Sequence, residues 1–225
     1  MGCRRKPRPK GVCLIPRQNR VNPFGSLVVT PERGALMGNR GCLHDNDGII
    51  RRVFAHKAWV TCQVEWKGVQ RKLFSPGRYS ELFFLDEATA FSAGHRPCNY
   101  CRRDDYKAFN LSFSNALASG SNIKAGDMDL QIHSDRMNKG RVKKTFRAEL
   151  SSLPDGLMVV LAGSPDTPRM LWNGNLLRWS FDGYSDPLAA KEFNTVDVLT
   201  PASICAVLAA GYPVKVHPSA SITCL

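Results

Sequence analysis

Residues 83–103 read FFLDEATAFSAGHRPCNYCRR, and they hold the one closely spaced cysteine pair of the chain, Cys98 and Cys101. A Cys-x-x-Cys turn aims two thiolates at a common point, the geometry that a tetrahedral Zn²⁺ demands. The flanks make that turn rigid. Asp86 has the side chain to N-cap a short helix from Glu87 to Ala93, Gly94 supplies a left-handed C′ residue, and Pro97 forbids continuation. After the pair, Tyr106, Phe109, Phe113 and Leu117 recur at helical spacing, with Asp104 and Asp105 in the first turn. A second helix is expected over 102–119, and its dipole favours thiolates at its start.

Within this stretch, FLDEATAFSAGHRPCNYCR resembles the end of the zinc-binding domain of Ada-type DNA alkylation-repair proteins. There a helix runs into alanine, glycine, an aromatic residue, Arg-Pro-Cys, two residues, Cys and Arg. Arg96, Pro97, Cys98 and Cys101 fall in place, over about 20 of 225 residues. The resemblance implies a zinc site and contact with DNA. The family's first cysteine pair, with three residues between its members, has no counterpart here, so methyl transfer is not implied. His95 stands where the family has a non-ligand aromatic residue.

The chain carries a net charge of +12, with 43% apolar residues, enough for a substantial core. Residues 1–150 hold 27 Lys and Arg against 13 Asp and Glu, whereas 151–225 hold 4 against 6. That asymmetry points to a polyanionic partner for the first part, nucleic acid and most readily DNA. There is no apolar run of membrane-spanning length and no apolar signal region behind the basic N-terminus, so a cytoplasmic protein with no membrane partner is expected. The eight cysteines are scattered, which in a reducing compartment favours metal ligation by a subset over disulfides.

Residues 1–25, with seven Lys and Arg, four prolines and no acid, read as a flexible basic arm. From Ser26 to Phe54, short apolar pieces alternate with Gly and Asn-Asp-Gly turn signals, as strands and tight loops do. Residues 57–74 alternate Val60, Cys62, Val64 and Trp66 on one face and read as a hairpin, with Cys62 as a small buried hydrophobe. A strand is expected at Leu82–Leu85. Beyond the second helix, Arg136, Lys139, Arg141, Lys143, Lys144 and Arg147 form the densest charge outside the arm. Asp129 and His133 are four apart, the spacing of a carboxylate-oriented histidine on a helix. From Leu153 onward, strands at LMVVLAG, at RMLWNGNLLRW with its Asn-Gly turn and at TVDVLTP precede a helix from Pro201 to Gly211.

The expected fold is α+β: the arm at 1–25, a basic zinc-organised unit of β-hairpins and a helix at 26–150, and a small acidic α+β unit at 151–225. Zinc is expected on Cys98 and Cys101, with Cys42 and His44 completing four ligands because they share a face in a turn-rich segment that a short loop closure brings near. Phosphate contacts are expected from Arg96, Arg102, Arg103, Lys139, Arg141, Lys143 and Lys144. Two other functions remain open. His44, Asp45 and Asp47 lie close enough together for a metal-dependent nuclease, and a structural zinc serves equally in a module that binds other proteins.

Overall fold

The computed structural model describes residues 16–69, 72–117 and 123–222 and shows an α+β protein with two six-stranded sheets and five helices. The first sheet holds β1 (Gln18–Val21), β2 (Leu27–Val29), β3 (Leu36–Asn39), β4 (Val60–Gln63), β5 (Leu82–Phe84) and β6 (Arg96–Pro97), in the order β2-β1-β5-β3-β4-β6. The second holds β7 (Phe146–Glu149), β8 (Met158–Leu161), β9 (Ser164–Trp172), β10 (Asn175–Ser180), β11 (Gly183–Ala189) and β12 (Thr195–Val198), in the order β11-β10-β9-β8-β12-β7. The helices are α1 (Glu87–Ser92), α2 (Arg103–Ala116), α3 (Ala125–Arg136), α4 (Ala202–Ala209) and α5 (Ser219–Ile222). None of them is long and apolar enough to cross a membrane.

The second sheet is antiparallel throughout and follows from local sequence. Asn173 and Gly174 both take positive φ (47° and 72°), so β9 returns as β10 through the tight turn that an Asn-Gly pair favours. The first sheet is mixed. β1 runs parallel to β5 and β4 parallel to β6, pairings that join segments far apart in the chain.

Helix α1 sits where the sheets meet. All six of its residues are buried, so it behaves as a helix with no solvent face. Phe91 packs with Phe109, Phe113, Met128 and Ile132 of α2 and α3 and with Val159, Leu171 and Val198 of the second sheet. Ala88 joins Met158, Met170 and Trp179, and Ala90 joins Val21, Leu43, Leu82 and Phe84 of the first sheet. The small side chains of EATAFS let neighbours approach on every side. Its polar groups are all engaged: Asp86 Oδ1 caps the helix by accepting from the Thr89 N–H at 2.9 Å, while Asp86 Oδ2 accepts from the Tyr184 hydroxyl at 2.8 Å and the His217 N–H at 2.9 Å. The Trp179 indole donates to Thr89 Oγ1 at 2.9 Å.

Two expected boundaries shift. The basic arm does not extend to residue 25, because Gln18–Val21 is a strand, Val21 is buried, and Asn19 Nδ2 donates to the Glu81 carbonyl. The remainder of the expected arm, residues 1–15, lies outside the described residues. Phe146–Glu149 pairs with Thr195–Val198 in the second sheet, and one core cluster draws on helices before residue 150 and strands after it. Among the described residues of the expected hairpin at 57–74 there is a single strand, β4, held between β3 and β6.

Candidate metal centre

The Cys-x-x-Cys turn forms as its local chemistry dictates. α1 ends at Gly94, whose φ of +82° is the left-handed conformation that glycine adopts without penalty. Arg96 and Pro97 then pair in parallel with Val60 and Thr61, and the Cys98 N–H donates to the Thr61 carbonyl at 2.9 Å. That register sets Cys98 beside Cys62. The Sγ atoms of Cys62, Cys98 and Cys101 all lie within 4.8 Å of one another, and this is the only such group of Cys, His, Asp or Glu among the described residues.

The electrostatics of the three thiols are those of one shared negative charge. Cys98 is held down to about 5, chiefly because the Cys62 thiol donates to it, with the Cys101 and Tyr100 N–H groups adding to the effect. Cys62 is pushed up by that donation to Cys98, by burial and by the neighbouring sulfurs. Burial raises Cys101 as well. The Tyr100 N–H reaches Cys98 Sγ at 3.4 Å, an N–H···S bond that favours the thiolate. A thiophilic cation would replace the shared protons and take all three sulfurs as ligands, so the donor set fits the ion that the turn motif implies. Half-buried Trp66 and exposed Tyr100 meet edge to face with centroids 6.0 Å apart, and the Lys67 ammonium lies over both rings.

The expected partners of the pair give way to Cys62. Cys42 donates to the His44 carbonyl at 3.5 Å, and His44 is buried with Nδ1 2.5 Å from the Ser80 hydroxyl and its ring stacked on Phe74 at 4.6 Å. Both side chains are tied into the loop after β3, outside the sulfur group. Asp45 closes the turn that follows, accepting from the Asp47 and Ile49 N–H groups and pairing with Arg51 at 2.7 Å. The His44 and Asp45 side chains thus hold this loop in shape. Cys3, Cys13 and Cys224 lie outside the described residues. Cys62 was hidden because a four-residue strand shows its alternation but not its neighbour, and that neighbour, β6, comes some 35 residues later.

Two of the expected phosphate contacts are internal. Arg96 is 5% exposed and forms a bidentate pair with Asp129 of α3, both bonds at 2.8 Å. Arg102 is 4% exposed and pairs with Glu87 and Asp105, while its Nη1 donates to Thr61 Oγ1 at 2.6 Å. These two pairs lock α2 and α3 against the metal turn. Asp129 therefore serves Arg96 rather than His133, whose Nδ1 faces Arg136 Nη2 at 2.8 Å. Arg103, Lys139, Arg141 and Lys144 are exposed, and Lys143 is half-buried.

His95, next to the turn, is fully buried against Phe84 and Trp59. Burial, with Arg40 and Arg136 nearby, drives its basicity well below the ordinary imidazole value, so the ring is neutral and its Nε2 accepts from Arg40 Nε at 3.3 Å.

No protein-family model, curated protein or solved structure matches the chain.

Proposed function

We propose that this chain is a zinc-binding protein in which Cys62, Cys98 and Cys101 hold the ion, and that its basic surface engages nucleic acid, with DNA the first candidate. The observation that carries the metal reading is the convergence of three sulfurs from β4 and the turn between β6 and α2 within 4.8 Å. All-sulfur donors select soft or borderline cations, of which Zn²⁺ is the usual occupant of a non-redox thiolate site. The three sulfurs would fill three of the four positions of a tetrahedral ion and pin a strand to a helix start. Support for the second half comes from charge. The cations of the chain are concentrated before residue 150, and Arg103, Lys139, Arg141 and Lys144 stand exposed and available to phosphates.

Elemental analysis of the purified protein tests the first half, with one equivalent of zinc expected. Cys62→Ser and Cys98→Ser should each lose that zinc, since structural sites derive stability from every ligand, whereas Cys42→Ser should keep it. Full zinc retention in Cys62→Ser would place the ion elsewhere. For the second half, binding to a DNA duplex and to RNA should weaken steeply as salt rises, with a log–log slope that counts the phosphates neutralised. A zinc-loaded protein that binds neither polymer at about 50 mM salt would instead fit a structural zinc in a protein-binding module.

A further inference from the structure

Away from the sulfur site, three cations line one cavity and none of them is ion-paired. Arg40, from the end of β3, is 1% exposed, and Arg136, the last residue of α3, is 2% exposed. Both guanidinium carbons lie over the Trp59 ring, at 4.1 Å and 3.7 Å from its centroid. Neither has a carboxylate partner. Arg40 Nη1 donates to the Gly25 carbonyl at 3.0 Å and its Nη2 has no partner, while Arg136 spends its terminal nitrogens on the Gly94 and Lys57 carbonyls and leaves Nε unpaired. Lys143 is anchored by the Ser92 carbonyl at 2.5 Å.

This arrangement is built rather than incidental. A Cβ on Gly94 would fall 2.4 Å from Arg136 Cδ, so the glycine that ends α1 also makes room for the Arg136 stem. The three cations line a cavity of about 890 Å³ together with Arg51, Arg52 and Arg141, against one lining carboxylate, Asp197. Trp59, Phe24, Leu27 and Leu199 form part of the same wall. Burial and mutual repulsion oppose the positive charge: Arg40 is held down to about 9 by burial, Arg136 to about 9 by burial and Arg40 against a smaller opposing effect of Asp129, and Lys143 to about 7 by burial and Arg40. Unpaired buried cations are among the costliest features a fold retains, and they are stable where a bound anion completes them.

We infer that the Arg40–Arg136–Lys143 cavity is a binding site for a phosphate group carried by an organic ligand. The unpartnered Arg40 Nη2 and Arg136 Nε are donors suited to charge-assisted bonds with phosphate oxygens, and a lysine adds a point charge. The volume is in the range of small-molecule sites and far exceeds a lone oxyanion, and the apolar wall beside the cations suits the non-phosphate portion. A free phosphorylated small molecule and the terminal phosphate of a nucleic-acid strand share this chemistry. The inference does not depend on the metal reading.

Calorimetric titration of the full chain with inorganic phosphate and pyrophosphate at low salt is the test, with metal content measured on every sample. Saturable binding is expected, weakened about 10- to 100-fold in Arg40→Met and Lys143→Met, with zinc unchanged. Lys143 is half-buried and its amine makes one hydrogen bond, so Lys143→Met keeps the test open should Arg40→Met fail to fold. A 5′-mononucleotide and matched oligonucleotides with 5′-phosphate or 5′-hydroxyl ends separate the sources. Competition by the mononucleotide assigns a free ligand; competition by only the 5′-phosphorylated strand assigns a nucleic-acid end. Absence of saturable binding, or affinities unchanged in both variants, overturns the inference whether or not zinc is present.

Discussion

Five arginines are buried among the described residues, and they fall into two groups. Arg96, Arg102 and Arg169 each face a carboxylate: Asp129, Glu87 with Asp105, and Asp186. Arg40 and Arg136 face only carbonyls, imidazoles and the Trp59 ring. Burial works against the charges of Arg102, Arg40 and Arg136 alike, yet the Glu87 and Asp105 carboxylates leave Arg102 above its ordinary value, while Arg40 and Arg136 are depressed. Arg96 and Arg102 tie elements together around the metal turn, and Arg169 ties β9 to β11 within the second sheet. In the unpaired group no carboxylate makes an ion pair: Asp129, already committed to Arg96, acts on Arg136 only at a distance, and the proposed ligand supplies the complementary charge.

The largest expected effect comes from taking a buried carboxylate away from a paired arginine. Glu87→Ala takes from Arg102 its fully buried partner and leaves it only the less buried Asp105 carboxylate, and it also removes the acceptor of the Tyr212 hydroxyl and the Lys215 N–H. Loss of about 3 to 5 kcal/mol is expected, read by urea unfolding. Replacing both members, Glu87→Leu with Arg102→Met, should recover much of that loss, because no charge is left buried alone. If Glu87→Ala were as stable as the parent, the paired group would be no more structural than the unpaired one.

Arg40→Met makes the converse change. It deletes a cation that nothing neutralises, at the cost of unpairing the Gly25 carbonyl and one His95 nitrogen. These effects oppose each other, each of order 1 to 3 kcal/mol, so net stability should move by about 1 kcal/mol or less. Arg102→Met, by contrast, should cost about 3 to 5 kcal/mol by stranding Glu87. The parent Tm should rise with added phosphate and the Arg40→Met Tm should not. Equal destabilisation by the two Arg→Met changes would erase the distinction drawn between the groups.

What the sequence disclosed about both groups depended on how far apart the partners lie. The Asp86 cap, the Gly94 exit and the Asn173-Gly174 turn are local chemistry, and each forms where the residues imply. So does the Cys98–Cys101 turn. Arg96 and Arg102 read as phosphate contacts because they flank that turn, but Asp129 lies 33 residues beyond Arg96 and Glu87 lies 15 before Arg102. Glu87 and Asp105 did offer a signal, two acids at helix starts on either side of the turn. Cys62 joined the pair through a parallel strand contact that alternation cannot encode, and Arg40 meets Arg136 only through Trp59. Loop closure alone favoured Cys42 and His44, but the stacking of His44 on Phe74 and its bond to Ser80 hold that loop elsewhere.

The smallest effect concerns the third cation, and its sign follows from proton linkage. The Lys143 ammonium is held down from the ordinary 10.5 to about 7 in the folded chain, by burial, Arg40 and Arg136, with the Cys205 thiol the one nearby group acting the other way. Between those values the unfolded chain binds the extra proton, so folding stability from this residue rises as pH increases from about 7 toward 10.5. Lys143→Met should flatten that rise, seen as a difference between parent and variant Tm profiles. Anion binding should run oppositely. Sulfate stays a dianion throughout, so its affinity should fall in the parent as pH passes upward through about 7, and the loss should move to higher pH when sulfate is abundant, because the bound anion favours the ammonium. In Lys143→Met the affinity should be lower and nearly flat from pH 6 to 8, since Arg40 and Arg136 keep their charge until about 9. A parent profile as flat as the variant's would mean that Lys143 does not face the anion, and would leave the two arginines to hold it by themselves.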